Sequence, residues 1–385
     1  MPRSFTDENR LWVVFDTCTR PDYYLDVHRI LAAPMDWIVR YDYKAKYLTD
    51  DVVGALRGNN LPLPRDILLL YAQKITHVRG ADPPKETPPF ADMMWLPTRL
   101  GRMVNVVEEG EKFLFDFQVT DYPLPGTSVQ AICRTLYDLR ATPFEKWIAF
   151  ANKAPGLDLI GGQQPTDVNW HKIIEQLDRP PSQFAGDLFW RIHGVKRAGK
   201  PGRLEPSTFS ERDGESIRQV RSHFSTRDAS AYVAEITTLR SPEGRAGGPP
   251  QEFRILAKAD NQDLLRVVGS GEIQPRQYTS DHLEFETGTL VFPKVRRVDL
   301  TLSTSPKDGI WPQGPELNLR FRVAKSWFAL IGALVSLAIG STLVVKEGRA
   351  VLATQAGWED LVFLVGGILL VTLSATLWTG KLTTK

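Results

Sequence analysis

Two long apolar segments near the C-terminal end constrain this chain more than any other feature. Residues 327–345 and 361–378 contain no Asp, Glu, Lys, Arg, Asn or Gln. As α-helices they extend about 27–29 Å each, close to the roughly 30 Å thickness of a bilayer's hydrocarbon core. A core helix of a soluble protein rarely stays apolar on every face over this length. The two segments therefore predict a C-terminal transmembrane hairpin within residues 326–380.

Tryptophans mark the ends of the two segments. Trp327 opens the first segment, Trp358 comes shortly before the second, and Trp378 closes it. Aromatic rings favour the headgroup level of a membrane, so we expect these three side chains to act as interface anchors.

Basic residues predict how the hairpin is oriented. They are more numerous on the outer flanks (Arg320, Arg322, Lys325, Lys381, Lys385) than in the predicted connecting loop (Lys346, Arg349). Because Lys and Arg are retained on the cytoplasmic side of a membrane, the pattern favours cytoplasmic N- and C-termini. The first sixteen residues contain several charges and no long apolar run, which is unlike a signal peptide and agrees with this orientation.

A stripe of small residues runs along the first apolar segment. Gly332, Ser336 and Gly340 recur at a spacing of four and would lie on one face of a helix. Such a face allows close helix packing, either against the second segment of the same chain or against another copy of the chain. The sequence alone leaves both alternatives open.

The composition excludes several classes of protein for the rest of the chain. Of its 385 residues, 42% are hydrophobic and 24% are charged, which is typical of globular proteins and unlike disordered or collagen-like chains. A formal net charge of +2 gives no general electrostatic attraction to nucleic acid. Cys18 and Cys133 are too few for a disulfide framework or a cysteine-based zinc site, and they suggest a reducing compartment.

Clusters of Pro and Gly divide the chain into a multidomain α+β protein. We expect a mixed α/β domain at residues 1–125, where apolar runs alternate with helical patterns and a β-hairpin follows. Residues 126–206 show mainly helical spacing and include a basic loop, whereas residues 207–325 contain about six alternating strands, typical of a β-sandwich. This sandwich precedes the hairpin directly, so it is expected at the membrane surface.

Three carboxylates suggest a metal site. Asp16 ends an apolar strand pattern, and Asp22 and Asp26 follow within ten residues. Carboxylate oxygens are the ligands that Mg²⁺ prefers, so convergence of the three side chains would create a magnesium site. The alternative is that Asp16 caps the turn after the strand, which is common for Asp at that position.

A second candidate site is a run of basic residues. Arg191, Lys196, Arg197, Lys200 and Arg203 occur with no acidic residue among them. Such a cluster fits an anion, with lipid headgroups favoured over RNA because the chain is predicted to be at a membrane. The alternative is a solvated loop without a ligand.

No complete catalytic motif is present, so the sequence favours binding over catalysis. Residues 194–201 have the GxxxxGK spacing of a P-loop, but Pro201 replaces the Ser or Thr that binds Mg²⁺. We expect a membrane-anchored scaffold or sensor without a cofactor, whose partners are the bilayer and either other proteins or a second copy. Two alternatives remain: an oligomerising effector that perturbs the bilayer, and a membrane-tethered Mg²⁺-dependent enzyme.

Overall fold

The chain forms three β-sheets, followed by two long apolar helices. The computed structural model describes residues 12–17, 21–74, 93–123, 148–151, 170–174, 188–240, 253–275, 278–290, 295–306, 316–325, 327–353 and 357–379. An α+β architecture is therefore present, with β-structure predominant before the C-terminal helices.

Sheet 1 is a mixed six-stranded sheet built from the N-terminal part of the chain. Its strands are β1 (Trp12–Thr17), β2 (Ile38–Lys44), β3 (Arg65–Lys74), β4 (Met93–Glu109), β5 (Lys112–Val119) and β6 (Ile148–Ala151). They are ordered β2-β5-β4-β3-β1-β6; β1 and β3 run parallel and the other neighbours antiparallel. The predicted hairpin is confirmed as β4 and β5, whose turn places Gly110 at a φ of 62°, which glycine adopts without strain.

Two helices accompany sheet 1: α1 (Pro21–Ala32) and α2 (Asp50–Arg57). A 3₁₀ turn at Ala45–Tyr47 precedes α2. The fully buried guanidinium of Arg99 lies at the end of α1, where Nη1 donates to the carbonyl oxygens of Ile30 and Ala33 at 3.0 and 2.9 Å. Arg99 thereby satisfies carbonyl groups that a helix C-terminus leaves unpaired.

The remaining strands form two further sheets. Sheet 2 is antiparallel, in the order β13-β15-β11-β7-β8, and consists of β7 (Leu188–Arg197), β8 (Arg203–Leu204), β11 (Ala231–Arg240), β13 (Leu265–Val267) and β15 (Tyr278–Thr287). Sheet 3 has the order β14-β12-β16-β17-β10-β9 and consists of β9 (Pro206–Asp213), β10 (Ser216–Arg227), β12 (Phe253–Ala259), β14 (Glu272–Ile273), β16 (Arg296–Pro306) and β17 (Glu316–Ala324).

Sheets 2 and 3 share one apolar core. The rings of Phe285 on sheet 2 and Phe321 on sheet 3 lie 4.9 Å apart, and both side chains are fully buried. The buried indole of Trp190 donates from Nε1 to Oγ1 of Thr304 at 2.8 Å. The inward residues of β16 and β17 alternate with outward polar ones, as expected for strands with one solvated face.

A buried carboxylate joins sheet 1 to sheet 3. Asp116 on β5 is fully buried and accepts hydrogen bonds from Arg40 at 2.7 and 3.0 Å and from Asn105 at 2.9 Å. It also accepts the backbone N–H of Val220 on β10 at 2.7 Å. Because Val220 belongs to sheet 3, this network fixes the two sheets to each other at one point.

Two apolar helices, α3 (Trp327–Leu352) and α4 (Trp358–Thr379), follow sheet 3. Both are long and apolar enough to cross a membrane. At about 39 and 33 Å they exceed the roughly 30 Å hydrocarbon core. Lys346 and Arg349 lie within the last turns of α3, so the prediction that they belong to a connecting loop is wrong.

The structure corrects the helical prediction for parts of residues 126–206. Residues 170–174 are helical as expected, but 148–151 form β6, and 188–204 contain β7 and β8. The basic residues assigned to a loop of this region therefore lie on or between two strands of sheet 2. The strand prediction for residues 207–325 agrees with the strands observed there, although β9 and β10 lacked a recognisable pattern.

Candidate functional site

The predicted magnesium site gains no support from the described residues. Asp26 on α1 forms an ion pair with Arg29 at 2.9 Å, and burial raises the pKa of its carboxyl group. Only the backbone is described for Asp16, at the end of β1, and for Asp22, near the start of α1. No group of three metal-binding side chains occurs in the part of the chain that the structure describes.

The predicted basic cluster does not form one surface. Arg191 is buried on β7, with its guanidinium 4.8 Å from the ring centre of Tyr122. Arg197 donates to Oγ of Ser230 at 3.1 Å, and Lys200 is exposed in the turn after β7. The five residues therefore point to different surroundings, and the prediction of a shared loop is wrong.

Two members of that cluster, Lys196 and Arg203, meet on an acidic partner. Lys196 Nζ and Arg203 Nε each lie 2.7 Å from a carboxylate oxygen of Glu235. The hydrogen bond from Lys196, with that from Arg203, lowers the pKa of Glu235 to about 2. Because this carboxylate stays ionised, the two cations are partly neutralised within the chain.

The small residues of the hairpin lie where α3 and α4 pack closely against each other. A Cβ added at Gly340 would lie 2.8 Å from the carbonyl oxygen of Gly367 and 2.9 Å from the backbone nitrogen of Val371. Ser374 Oγ donates to the carbonyl oxygen of Ala333 at 2.6 Å, which adds a polar contact. Gly332 and Ser336 are half-buried. The close approach at Gly340 is thus intramolecular, which favours the first of the two packing alternatives.

The candidate interface anchors begin or lie near the ends of the apolar helices. Trp327 is the first residue of α3, and Trp378 is the penultimate residue of α4. Trp358 opens α4 with 74% of its surface exposed. Three anchors at helix ends fit the arrangement that a membrane interface favours.

A basic cavity in the part of the chain before the hairpin is the most distinctive candidate site, and sequence analysis missed it. The cavity has a volume of about 670 Å³ and is lined by residues that include Phe209, His223, Arg296, Arg297 and Arg322. None of the described residues that line it is acidic. It is formed by strands β9, β10, β16 and β17 of sheet 3, together with the turn after β12.

The pairing of β16 with β17 explains the basic character of this cavity. Three successive outward positions pair Thr301 with Asn318, Asp299 with Arg320, and Arg297 with Arg322. The first pair shares a hydrogen bond of 2.7 Å, and the second forms a two-pronged ion pair at 2.7–2.8 Å.

The third pair places two positive charges opposite each other, which destabilises an antiparallel ladder. No described carboxylate lies within ion-pair distance of Arg297 or Arg322. The guanidinium of Arg297 instead lies 4.2 Å from the ring centre of Phe209.

His223 lies in the wall of the cavity with both ring nitrogens buried. The residue is 5% exposed, and neither nitrogen has a hydrogen-bond partner among the described residues. Its ring meets that of Phe209 edge-on at 5.4 Å. Burial lowers the pKa of His223, and the neighbouring Arg322, Arg297 and Arg320 lower it further. The ring is therefore neutral, with one nitrogen as donor and the other as acceptor.

Comparison with known proteins adds little. No family model and no curated protein matches this chain. Among solved structures, trypsin-activated alpha-2-macroglobulin from Escherichia coli is similar over 64% of this chain at 9% identity, with a TM-score of 0.19. The chain spans only 12% of that protein's length. A similarity at this level supports no conclusion about fold or function.

Proposed function

We propose that this chain is a membrane-anchored binding protein, a scaffold or sensor whose sheets are held at the cytoplasmic surface of a bilayer by the α3–α4 hairpin. The observation that carries the proposal is how little of the hairpin is buried. In the most apolar stretches of α3 and α4, Ile331–Arg349 and Trp358–Ala375, only 17% and 11% are buried. The core helices of a soluble protein would instead be mostly covered.

The exposed side chains of the hairpin are large and apolar. They are about half exposed on both helices and include Ile331, Leu334, Val335, Leu337, Ile339, Leu361, Val362, Phe363, Val365, Ile368 and Leu369. An apolar surface of this extent is rare on a soluble monomer because its contact with water is unfavourable. Insertion into hydrocarbon removes that contact, so the hairpin is best explained as a membrane anchor.

The connection between sheet 3 and α3 is short. Strand β17 ends at Ala324 and α3 begins at Trp327, so two residues separate them. The first of these, Lys325, is 7% exposed and donates from Nζ to the carbonyl oxygen of Leu290 at 2.6 Å. Such a tether restricts sheet 3 to the immediate neighbourhood of the membrane surface.

Within this proposal, sheets 1 to 3 carry the binding function. Residues 1–125 provide the mixed α/β domain, and residues 207–325, extended by β7 and β8, provide a β-sandwich next to the bilayer. The basic residues flanking the hairpin favour cytoplasmic N- and C-termini. Protein partners or a second copy are the expected ligands of the exposed sheet surfaces.

Charged substitutions on the hairpin test the anchor directly. Ile339 and Leu369 lie near the middle of α3 and α4 and are 50% and 63% exposed. An arginine at the bilayer centre costs about 2.5–3.5 kcal/mol, so Ile339→Arg combined with Leu369→Arg should shift the chain out of the membrane fraction after alkaline extraction.

A matched pair of substitutions provides the control. Leu63 and Val268 are 42% and 39% exposed and lie in the sheet-containing part of the chain. The double variant Leu63→Arg, Val268→Arg should remain in the membrane fraction like the unaltered chain. An unaltered chain that is recovered in the soluble fraction would contradict the proposal, as would equal behaviour of the two double variants.

A further inference from the structure

We propose that the basic cavity of sheet 3 binds a phosphate group, carried either by a lipid headgroup or by a soluble phosphate compound. The lipid source rests on the proposed membrane anchor, whereas the phosphate chemistry rests on the cavity alone. The binding groups are the guanidinium groups of Arg296, Arg297 and Arg322, with the ring of His223 in the wall.

The first argument is charge that no carboxylate of the described residues neutralises. Two residues further along the same strand pair, Asp299 lies opposite Arg320 and forms an ion pair with it, so the arginine charge at that position is neutralised. At the cavity the strand pair instead places Arg297 opposite Arg322. The two like charges repel each other, and an anion bound between them would be attracted by both.

The second argument is the type of cation. Arginine presents a planar set of N–H donors that matches the oxygens of a phosphate in a two-pronged geometry, and such charge-assisted hydrogen bonds are about twice as strong as neutral ones. The three cations that line the cavity are all arginines. A phosphate group can accept hydrogen bonds from several guanidinium groups at once because its oxygens point in different directions.

The third argument is the unsatisfied histidine. Both ring nitrogens of His223 are buried without a partner among the described residues, although a buried polar group that forms no hydrogen bond costs free energy. The neutral ring has one N–H group, which donates to a phosphate oxygen in the cavity. A bound anion would thus satisfy a group that has no hydrogen-bond partner among the described residues.

The position of the cavity indicates the lipid source. Arg322 precedes Trp327, the first residue of α3, by five positions, which is at most about 17 Å of extended chain. Arg296 and Arg297 begin β16 and pair with Val323 and Arg322 at that same end of the sheet. Anionic headgroups attract basic residues at such distances from the membrane surface. The volume of about 670 Å³ lies within the range of small-molecule sites.

The test measures lipid binding to the full chain in detergent by native mass spectrometry. Phosphatidylglycerol and phosphatidylcholine are titrated separately, and glycerol phosphate is titrated as the soluble probe. We expect phosphatidylglycerol to bind more tightly than phosphatidylcholine. The double variant Arg297→Gln, Arg322→Gln should bind it at least about tenfold more weakly, because each lost charge-assisted contact is worth a tenfold change or more.

The matched control removes the same charge from the same sheet at its other end. Arg212 and Arg218 flank the β9–β10 turn and are exposed, and neither lines the cavity. The double variant Arg212→Gln, Arg218→Gln should bind phosphatidylglycerol like the unaltered chain. Tenfold weakening in both double variants would show a general charge effect and overturn the proposal.

The remaining outcomes distinguish a lipid phosphate from a soluble phosphate. A further measurement on the unaltered chain does not depend on whether a variant folds. If glycerol phosphate binds in an Arg297- and Arg322-dependent way but the lipid shows no preference, a soluble phosphate is the ligand and the cavity chemistry stands. If neither probe depends on the two arginines, the proposal fails. Hydrogen exchange of the unaltered chain checks this independently: phosphatidylglycerol should slow exchange in β16 and β17 relative to phosphatidylcholine. Failure of the membrane anchor would appear separately, in the extraction experiment.

Discussion

Substitution of the buried carboxylate of Asp116 should weaken the junction between sheet 1 and sheet 3. In Asp116→Ala, Arg40 loses its ion-pair partner, and the amide of Asn105 and the backbone N–H of Val220 lose their acceptor. Breaking one side of a buried ion pair costs about 3–5 kcal/mol. The side chain of Arg40 is 25% exposed and also donates to the carbonyl oxygen of Arg218, so we expect the lower end, about 3 kcal/mol.

An exposed ion pair on the same two strands provides the control. Lys112 Nζ lies 2.6 Å from a carboxylate oxygen of Asp42, and the two side chains are 48% and 55% exposed. A pair in this environment contributes at most about 1 kcal/mol, so Asp42→Ala should change stability little. The two aspartates thus differ in burial and in the number of donors that they accept.

Hydrogen exchange of the full chain in detergent resolves the difference locally. The N–H of Val220 bonds to Asp116, and that of Ile38 bonds to Oγ of Ser222 across the same junction at 2.8 Å. A loss of about 3 kcal/mol corresponds to roughly hundredfold faster exchange of these amides in Asp116→Ala. Equal exchange rates in Asp116→Ala and Asp42→Ala would refute the conclusion that the buried network joins the sheets.

Two further perturbations have expected outcomes. His28 is buried, and its ring stacks on that of Phe189 at 4.3 Å. Burial lowers the pKa of His28 to about 3, against about 6.5 in the unfolded chain. The unfolded chain therefore gains a proton on this histidine before the folded chain does, and the folded state loses stability as the pH falls from about 6.5 towards 3. Between pH 7 and 5 the unaltered chain should therefore lose about 2 kcal/mol more than His28→Gln in denaturant unfolding, and equal losses would contradict this. In the hairpin, a Cβ at Gly367 would lie 2.9 Å from Cβ of Leu343, whereas one at Gly366 meets nothing within 4 Å. Gly367→Ala should thus lower the thermal stability of the hairpin by about 1–3 kcal/mol, as followed by circular dichroism in detergent, while Gly366→Ala should not.

The sequence was most informative where periodicity was strong. Helices α3 and α4 were visible as uncharged runs, and strands such as β17 showed buried and exposed residues in alternation. The same rule failed at an edge strand and at a strand that is buried on both faces. Strand β9 is an edge strand with few buried residues, so it has no apolar face to reveal it. Strand β7 is buried on both faces and contains Arg191 and His193, which interrupt an apolar run.

The prediction of the functional sites from sequence failed for a different reason. The basic residues on β7 and β8 are neighbours in sequence, yet pairing with Glu235 and stacking on Tyr122 direct them to different partners. The cavity, in contrast, combines side chains from four strands that are up to about a hundred residues apart. Local spacing in the sequence shows neither the register that places Arg297 opposite Arg322 nor that no described carboxylate lies beside them. Only pairing across the sheet brings these charges together.

The proposed membrane anchor and the proposed phosphate site would together serve recognition at a membrane surface. A hairpin inserted in the bilayer would hold sheet 3 at the membrane surface through a two-residue connection. The end of sheet 3 at that connection has arginines with no described carboxylate within ion-pair distance. Val220, whose backbone N–H bonds to Asp116, belongs to the same strand as His223, so β10 contributes both to the cavity and to the junction with sheet 1.

The most direct test of the membrane-anchored arrangement is accessibility of single cysteines in intact cells. In a chain carrying Cys18→Ser and Cys133→Ser, one cysteine is introduced as Gly357→Cys, between α3 and α4, or as Asp213→Cys, in the β9–β10 hairpin. A membrane-impermeant maleimide should label Gly357→Cys in intact cells and Asp213→Cys only after the membrane is permeabilised. Labelling of both positions, or of neither, in intact cells would contradict a hairpin that spans the membrane and leaves the sheets in the cytoplasm.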